Sequence, residues 1–198
     1  MTTTRIILAG VLGAIAMFIW SAVAHMITPL GHAGMRELAN ESTVLSALES
    51  NLGDNSGLYL FPGLGVGDNP TREQRNEGMK QMQEKLAKNP SGLLMYHPKN
   101  SRSISMGKLL TIEFLKQLLV SILAVFLLAQ TRIVTFGGRV GFIFVLGLVA
   151  GISTNVSYWN WYGFPTAYTV PYMTIEIVGF LCAGLAAALV VGRQTSEG

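Results

Sequence analysis

Residues 6–27 read IILAGVLGAIAMFIWSAVAHMI, a run without a Lys, Arg, Asp or Glu in which His25 is the only titratable side chain. A helix of this length spans roughly 30 Å, the thickness of a bilayer's hydrocarbon core. Pro29 follows two residues later and stops the helix. A cleaved signal peptide is the competing reading, with Arg5 as its basic start and Ala22-Val23-Ala24 as a small-x-small cleavage site. The length of the apolar run predicts an uncleaved anchor, helix 1 over residues 1–27.

Working outward, the same pattern recurs three times, predicting helices over residues 109–130, 138–158 and 172–192. Between the first and second lies a polar segment, residues 28–108. Only 13% of the 198 residues are charged, where a soluble domain carries about 25%, and most of that charge sits in the insertion. Such segregation suits a bilayer. The expected fold is therefore an α-helical integral membrane protein with four transmembrane helices. A small α/β extramembrane insertion separates helices 1 and 2.

Orientation follows from the positive-inside rule, counted over short loops. Arg5, Arg132, Arg139 and Arg193 fall on one side if both termini are cytoplasmic, and the loop over 160–171 has no Lys or Arg. The expected location is the bacterial inner membrane with residues 28–108 in the periplasm. Trp159, Trp161, Tyr162, Tyr168 and Tyr172 gather around that second outer loop. They read as an interfacial belt at headgroup level in preference to a site for a ring-bearing ligand such as a quinone.

The insertion reads as helix, strand, helix, strand. Ser42 is placed to cap a helix that ends at Gly53, with Val44, Leu45, Leu48 and Leu52 on one face. Leu58-Tyr59-Leu60-Phe61 and Leu93-Leu94-Met95-Tyr96 have strand composition. Asn69 and Pro70 read as the cap and first residue of the second helix, whose stripe is Met79, Met82 and Leu86. A helix between two strands predicts parallel pairing. The run Gly63-Leu64-Gly65-Val66-Gly67 lacks a Walker ending and the dinucleotide spacing, and reads as a mobile loop. His32 and His97 read as surface or turn residues.

Five polar residues interrupt the apolar runs: His25, Glu113, Lys116, Asn155 and Glu176. Each is costly in hydrocarbon and is expected to face the bundle interior, a partner or water. Small residues share their helical stripes: Gly10 and Ala14 below His25, Gly147 and Gly151 below Asn155, Gly179 and Ala183 below Glu176. Gly137 and Gly141 repeat the spacing at the other end of the third helix. Small-xxx-small seams let helices pack closely, so one shared polar cluster is expected where these stripes meet. The packing reading pairs Glu113 with Lys116, and Glu176 with His25 or Asn155. A functional reading makes the same residues a ligand, proton or cation site.

Catalytic signatures are missing. Cys182 is the only cysteine, which excludes an intrachain disulfide, a CxxC redox pair and a cysteine zinc site. The HExxH and GxSxG motifs are absent. No cofactor or metal is expected. The net charge of +3 comes without a basic run interleaved with aromatics, which argues against nucleic acid. The expected role is a membrane-embedded accessory or structural subunit acting through protein contacts. Its partners are membrane lipids and other subunits or a second copy. The alternative is a protein handling a small molecule, proton or ion at the outer helix ends.

Overall fold

A computed structural model describes residues 1–67 and 69–192; Arg193, counted above in the charge asymmetry, lies outside the described residues. The chain forms two compact units, Met1–Arg36 with Ile104–Gly198, and Glu37–Ser103. The first contains helices α1 (Thr3–Met26), α4 (Met106–Ala129), α5 (Phe136–Tyr162) and α6 (Thr166–Val191). All four are long and apolar enough to cross a membrane. The second contains α2 (Glu41–Leu52), β1 (Gly57–Phe61), α3 (Arg72–Lys88) and β2 (Gly92–Tyr96).

In the helical unit, α1 is central: α4 packs on one side of it and α6 on another, and α5 packs on α6. Neighbours run antiparallel. Phe18 meets Phe114 edge-on at 5.5 Å while Gly10 abuts Ile122, so α1 and α4 run in opposite directions. The core gathers Ala9, Met17, Val125, Leu128, Ile143, Phe180, Ala183 and Ala187. Aliphatic side chains on the opposite faces, such as Ile19, Leu119, Val149 and Leu189, are exposed. That inside-out distribution is what an apolar solvent around the bundle permits.

Two helix limits differ from those expected. α5 begins at Phe136, where Thr135 accepts a hydrogen bond from Gly138 N at 3.1 Å, and continues through Trp159 and Trp161 to Tyr162. Gly163, at φ 69°, closes it in the left-handed conformation that favours glycine. α6 begins at Thr166 and carries Pro171 inside it. The expected loop over 160–171 therefore contracts to residues 163–165. Proline removes one backbone donor near the helix start, which that helix tolerates.

The insertion corrects the strand pairing. β1 and β2 are antiparallel, with Gly57 opposite Tyr96, Tyr59 opposite Leu94 and Phe61 opposite Gly92. A parallel crossover is held by its helix lying on the sheet, and α3 does not pack there. Instead Gly78 of α3 meets Leu64 and Val66 of the glycine-rich loop, and Lys85 Nζ donates to Gly63 O at 3.4 Å. The α3 cap is also displaced: Thr71 and Gln74 form a reciprocal capping box, which satisfies two donors where the Asn69-Pro70 start offers one. Asn40, not Ser42, is the α2 cap. On the surface, Lys99 pairs with Glu49 at 2.5 Å, a bond that holds the ammonium above its ordinary pKa. His32 and His97 are exposed.

Candidate functional site

The helical unit has a far end, where α1 and α5 finish. Four of the five expected polar residues fall into two groups there, and His25 stands apart. On α4, Lys116 Nζ and Gln117 Nε2 both donate to Glu113 Oε1, at 2.7 and 2.9 Å. Between α5 and α6, Asn155 Nδ2 donates to Glu176 Oε2 at 3.2 Å and to Gly151 O at 3.0 Å. His25 Nδ1 bonds Ser21 O of its own helix at 2.9 Å. The single shared cluster is replaced by separate pairings, because α1 stands between α4 and α6. Among the described residues no three His, Cys, Asp or Glu side chains are placed to hold a metal ion.

His25 instead meets an aromatic row. Its ring lies edge-on to Tyr172 at 6.2 Å, and Tyr172 stacks on Tyr168 at 4.4 Å. From there the row continues through Phe164 and Tyr158 to Tyr162, with centroid separations of 5.5, 5.4 and 5.7 Å. Tyr168 and Tyr172 are one turn apart on α6, and the short 163–165 turn folds Phe164 against Tyr158. Trp159 Nε1 donates to Thr166 Oγ1 at 3.1 Å, tying the end of α5 to the start of α6. Trp161 stays exposed.

The segment after α1 is drawn onto this row. A short 3-10 turn, Pro29–His32, brings Gly31 against His25, where a Cβ would lie 2.6 Å from His25 Cα. Gly34, at φ 76°, lies over the backbone of Tyr168, and a Cβ there would be 2.6 Å from its nitrogen. Only glycine combines that backbone conformation with that approach.

The glycines of the long helices divide. Added Cβ atoms at Gly10 and Gly147 would lie 2.6 Å from Ile122 Cγ1 and 2.5 Å from Phe180 Cβ. Gly151 is tight against Ile177 at 3.2 Å, and Gly179 meets only ordinary contacts with Met17 and Trp20 at 3.7 Å. Ala14 and Ala183 are fully buried. Gly137 and Gly141 face open space, with nothing within 4 Å of an added Cβ. That pair forms no seam among the described residues.

Two groups escaped the sequence reading. Trp20 Nε1 donates across to Ile175 O on α6 at 2.8 Å; nothing in the sequence points to an indole reaching another helix's backbone. The second group had a signal. Gln117 and Ser121 follow Glu113 at four-residue steps, and both are turned into the bundle, 4% and 1% exposed. Gln117 Oε1 and Ser121 Oγ have no hydrogen-bond partner among the described residues. Each such buried group costs about 1–3 kcal/mol if left unbonded.

No family model matches the chain, and neither a curated protein nor a solved structure matches it.

Proposed function

We propose that this chain is an integral membrane protein of the bacterial inner membrane and acts as an accessory or structural subunit through protein contacts. The observation that carries the reading is the insertion's packing. Between Glu37 and Ser103, Gly78 is the only buried residue among those described, while Leu45, Leu58, Leu60, Met79 and Met95 are exposed. A two-stranded sheet is marginal alone, and a unit without buried apolar side chains has little to offset its ordering entropy. Contact with another protein supplies the missing burial. The open Gly137–Gly141 face supports the same reading within the helices.

Charge placement supports cytoplasmic termini and a periplasmic insertion. Arg5, Arg132 and Arg139 sit at the ends where α1 and α5 begin, and the opposite 163–165 turn carries no Lys or Arg. The test is purification from native membranes in mild detergent followed by native mass spectrometry. Stoichiometric recovery with other subunits is the expected result; a stable monomer without a partner overturns the proposal.

A second reading rests on the far-end polar groups beside the aromatic row. In it, Glu113 and Glu176 serve a small molecule, proton or ion. Glu113→Gln and Glu176→Gln would then abolish binding or flux without loss of folding. Unchanged binding or flux in both variants would assign the two residues to packing.

A further inference from the structure

The unbonded pair on α4 has a definite chemistry. Gln117 has its amide nitrogen committed to Glu113 Oε1, which leaves its carbonyl oxygen as a pure acceptor. Ser121, one turn deeper on the same face, offers a hydroxyl that both donates and accepts. Neither oxygen reaches a partner, so they do not bond each other, although both are buried. Across the seam Ser121 Oγ lies over Gly13, where α1 has no side chain. The ligand that satisfies an acceptor and a hydroxyl together, one turn apart, is small and carries both donors and acceptors.

We infer that a water molecule is bound in the seam between α1 and α4, donating one hydrogen to Gln117 Oε1 and pairing with Ser121 Oγ through its second hydrogen or its oxygen. Buried waters hold such positions, typically with about three hydrogen bonds. A cation fits less well. Glu113, the nearest carboxylate along α4, already receives the Lys116 ammonium, so the group has no uncompensated negative charge. With the water in place, the hydrogen bonds form one track from Lys116 and Glu113 through Gln117 to Ser121. From Glu113 to Ser121 the helix rises roughly 12 Å, so the hydrogen-bonded track, with its single water at the deep end, extends that far along the α1–α4 seam. The inference is independent of the subunit reading.

The test is a double-mutant cycle on the full-length protein in detergent, read by thermal unfolding, with a high-resolution structure of the unmodified chain. In a hydrated seam each of Gln117→Met and Ser121→Ala strands the other members. Ser121→Ala then lowers Tm by roughly 3–8 °C; Gln117→Met also forfeits the bond to Glu113, so the double variant falls little or no further than Gln117→Met alone. Density within hydrogen-bond distance of both oxygens completes the case. Single variants that raise Tm would show that the oxygens were truly unbonded, and overturn the inference. Direct contact between Gln117 and Ser121 in the density would also overturn it. So would a Tm that rises with sodium at constant ionic strength and loses that dependence in Gln117→Met, since the occupant would then be a cation.

Discussion

Asn155 on α5 reaches Glu176 on α6 with a hydrogen bond of 3.2 Å, and the same amide also donates to Gly151 O on its own helix. One NH2 group thus fixes the rotation of α5 against α6. Glu176→Gln keeps an acceptor oxygen, so its stability should stay within about 0.5 kcal/mol of the parent. Glu176→Ala removes it and should cost about 0.6–2 kcal/mol, the range of interhelical polar contacts. Thermal unfolding in detergent measures both, and equal losses would mean that the carboxylate's charge matters more than the bond.

Gly147 and Gly179 should respond in opposite ways to alanine. At Gly147 the new methyl meets Phe180 Cβ at 2.5 Å and Cγ at 2.8 Å. Overpacking of this kind costs about 1–3 kcal/mol. At Gly179 the methyl meets ordinary contacts at 3.7 Å, and the gain in helix propensity should leave stability unchanged or raised by up to about 1 kcal/mol. Parallel melting curves of the two variants suffice to check the contrast.

Replacing Trp20 with Phe keeps most of the ring and removes the bond to Ile175 O. A loss of about 0.5–1.5 kcal/mol is expected. Phenylalanine matching tryptophan in stability would show that the ring's packing alone holds α1 to α6.

Hydrogen exchange should separate the two units. Amides of α2 and α3 lie in helices with no buried side chain, so they should exchange far faster than those of α1 and α6. In the presence of a bound partner the insertion should gain protection. Equal protection of α3 and α6 in the isolated chain would contradict the sparse packing.

Gly137→Ile and Gly141→Ile test the open face of α5. Among the described residues nothing lies within 4 Å of either Cβ position, so the isolated chain should fold and melt within about 0.5 kcal/mol of the parent. If that face meets another subunit, the same changes should reduce co-purification. Full recovery of partners would restrict the contact surface to other parts of the chain.

The four apolar runs were legible because hydrophobic length is a property of sequence alone. Their ends were less so. Pro171 suggested a loop and lies inside α6, while Trp159 to Tyr162 suggested an interface and extend α5. Glu113 with Lys116 could be read from their spacing, since three residues bring side chains together on any helix. Glu176 with Asn155 required knowing that α5, not α1, lies beside that face of α6. A helix between two strands predicts parallel pairing only where it covers them, and α3 covers its preceding loop instead. The buried Gln117 and Ser121 were visible as a four-residue repeat, but their burial depends on where α1 lies.

That central place of α1 sets a timetable for synthesis. Both helices that enclose it, α4 and α6, lie beyond residue 105 in the chain. At about 5–20 residues per second, the ribosome needs roughly 5–20 s after finishing α1 before α4 has been made. Through that interval Gly10, Gly13 and Trp20 have none of their eventual neighbours. In the membrane topology proposed above, the first helix would be held by lipid or by the insertion machinery through that interval. The bundle closes only once α6 has followed α5.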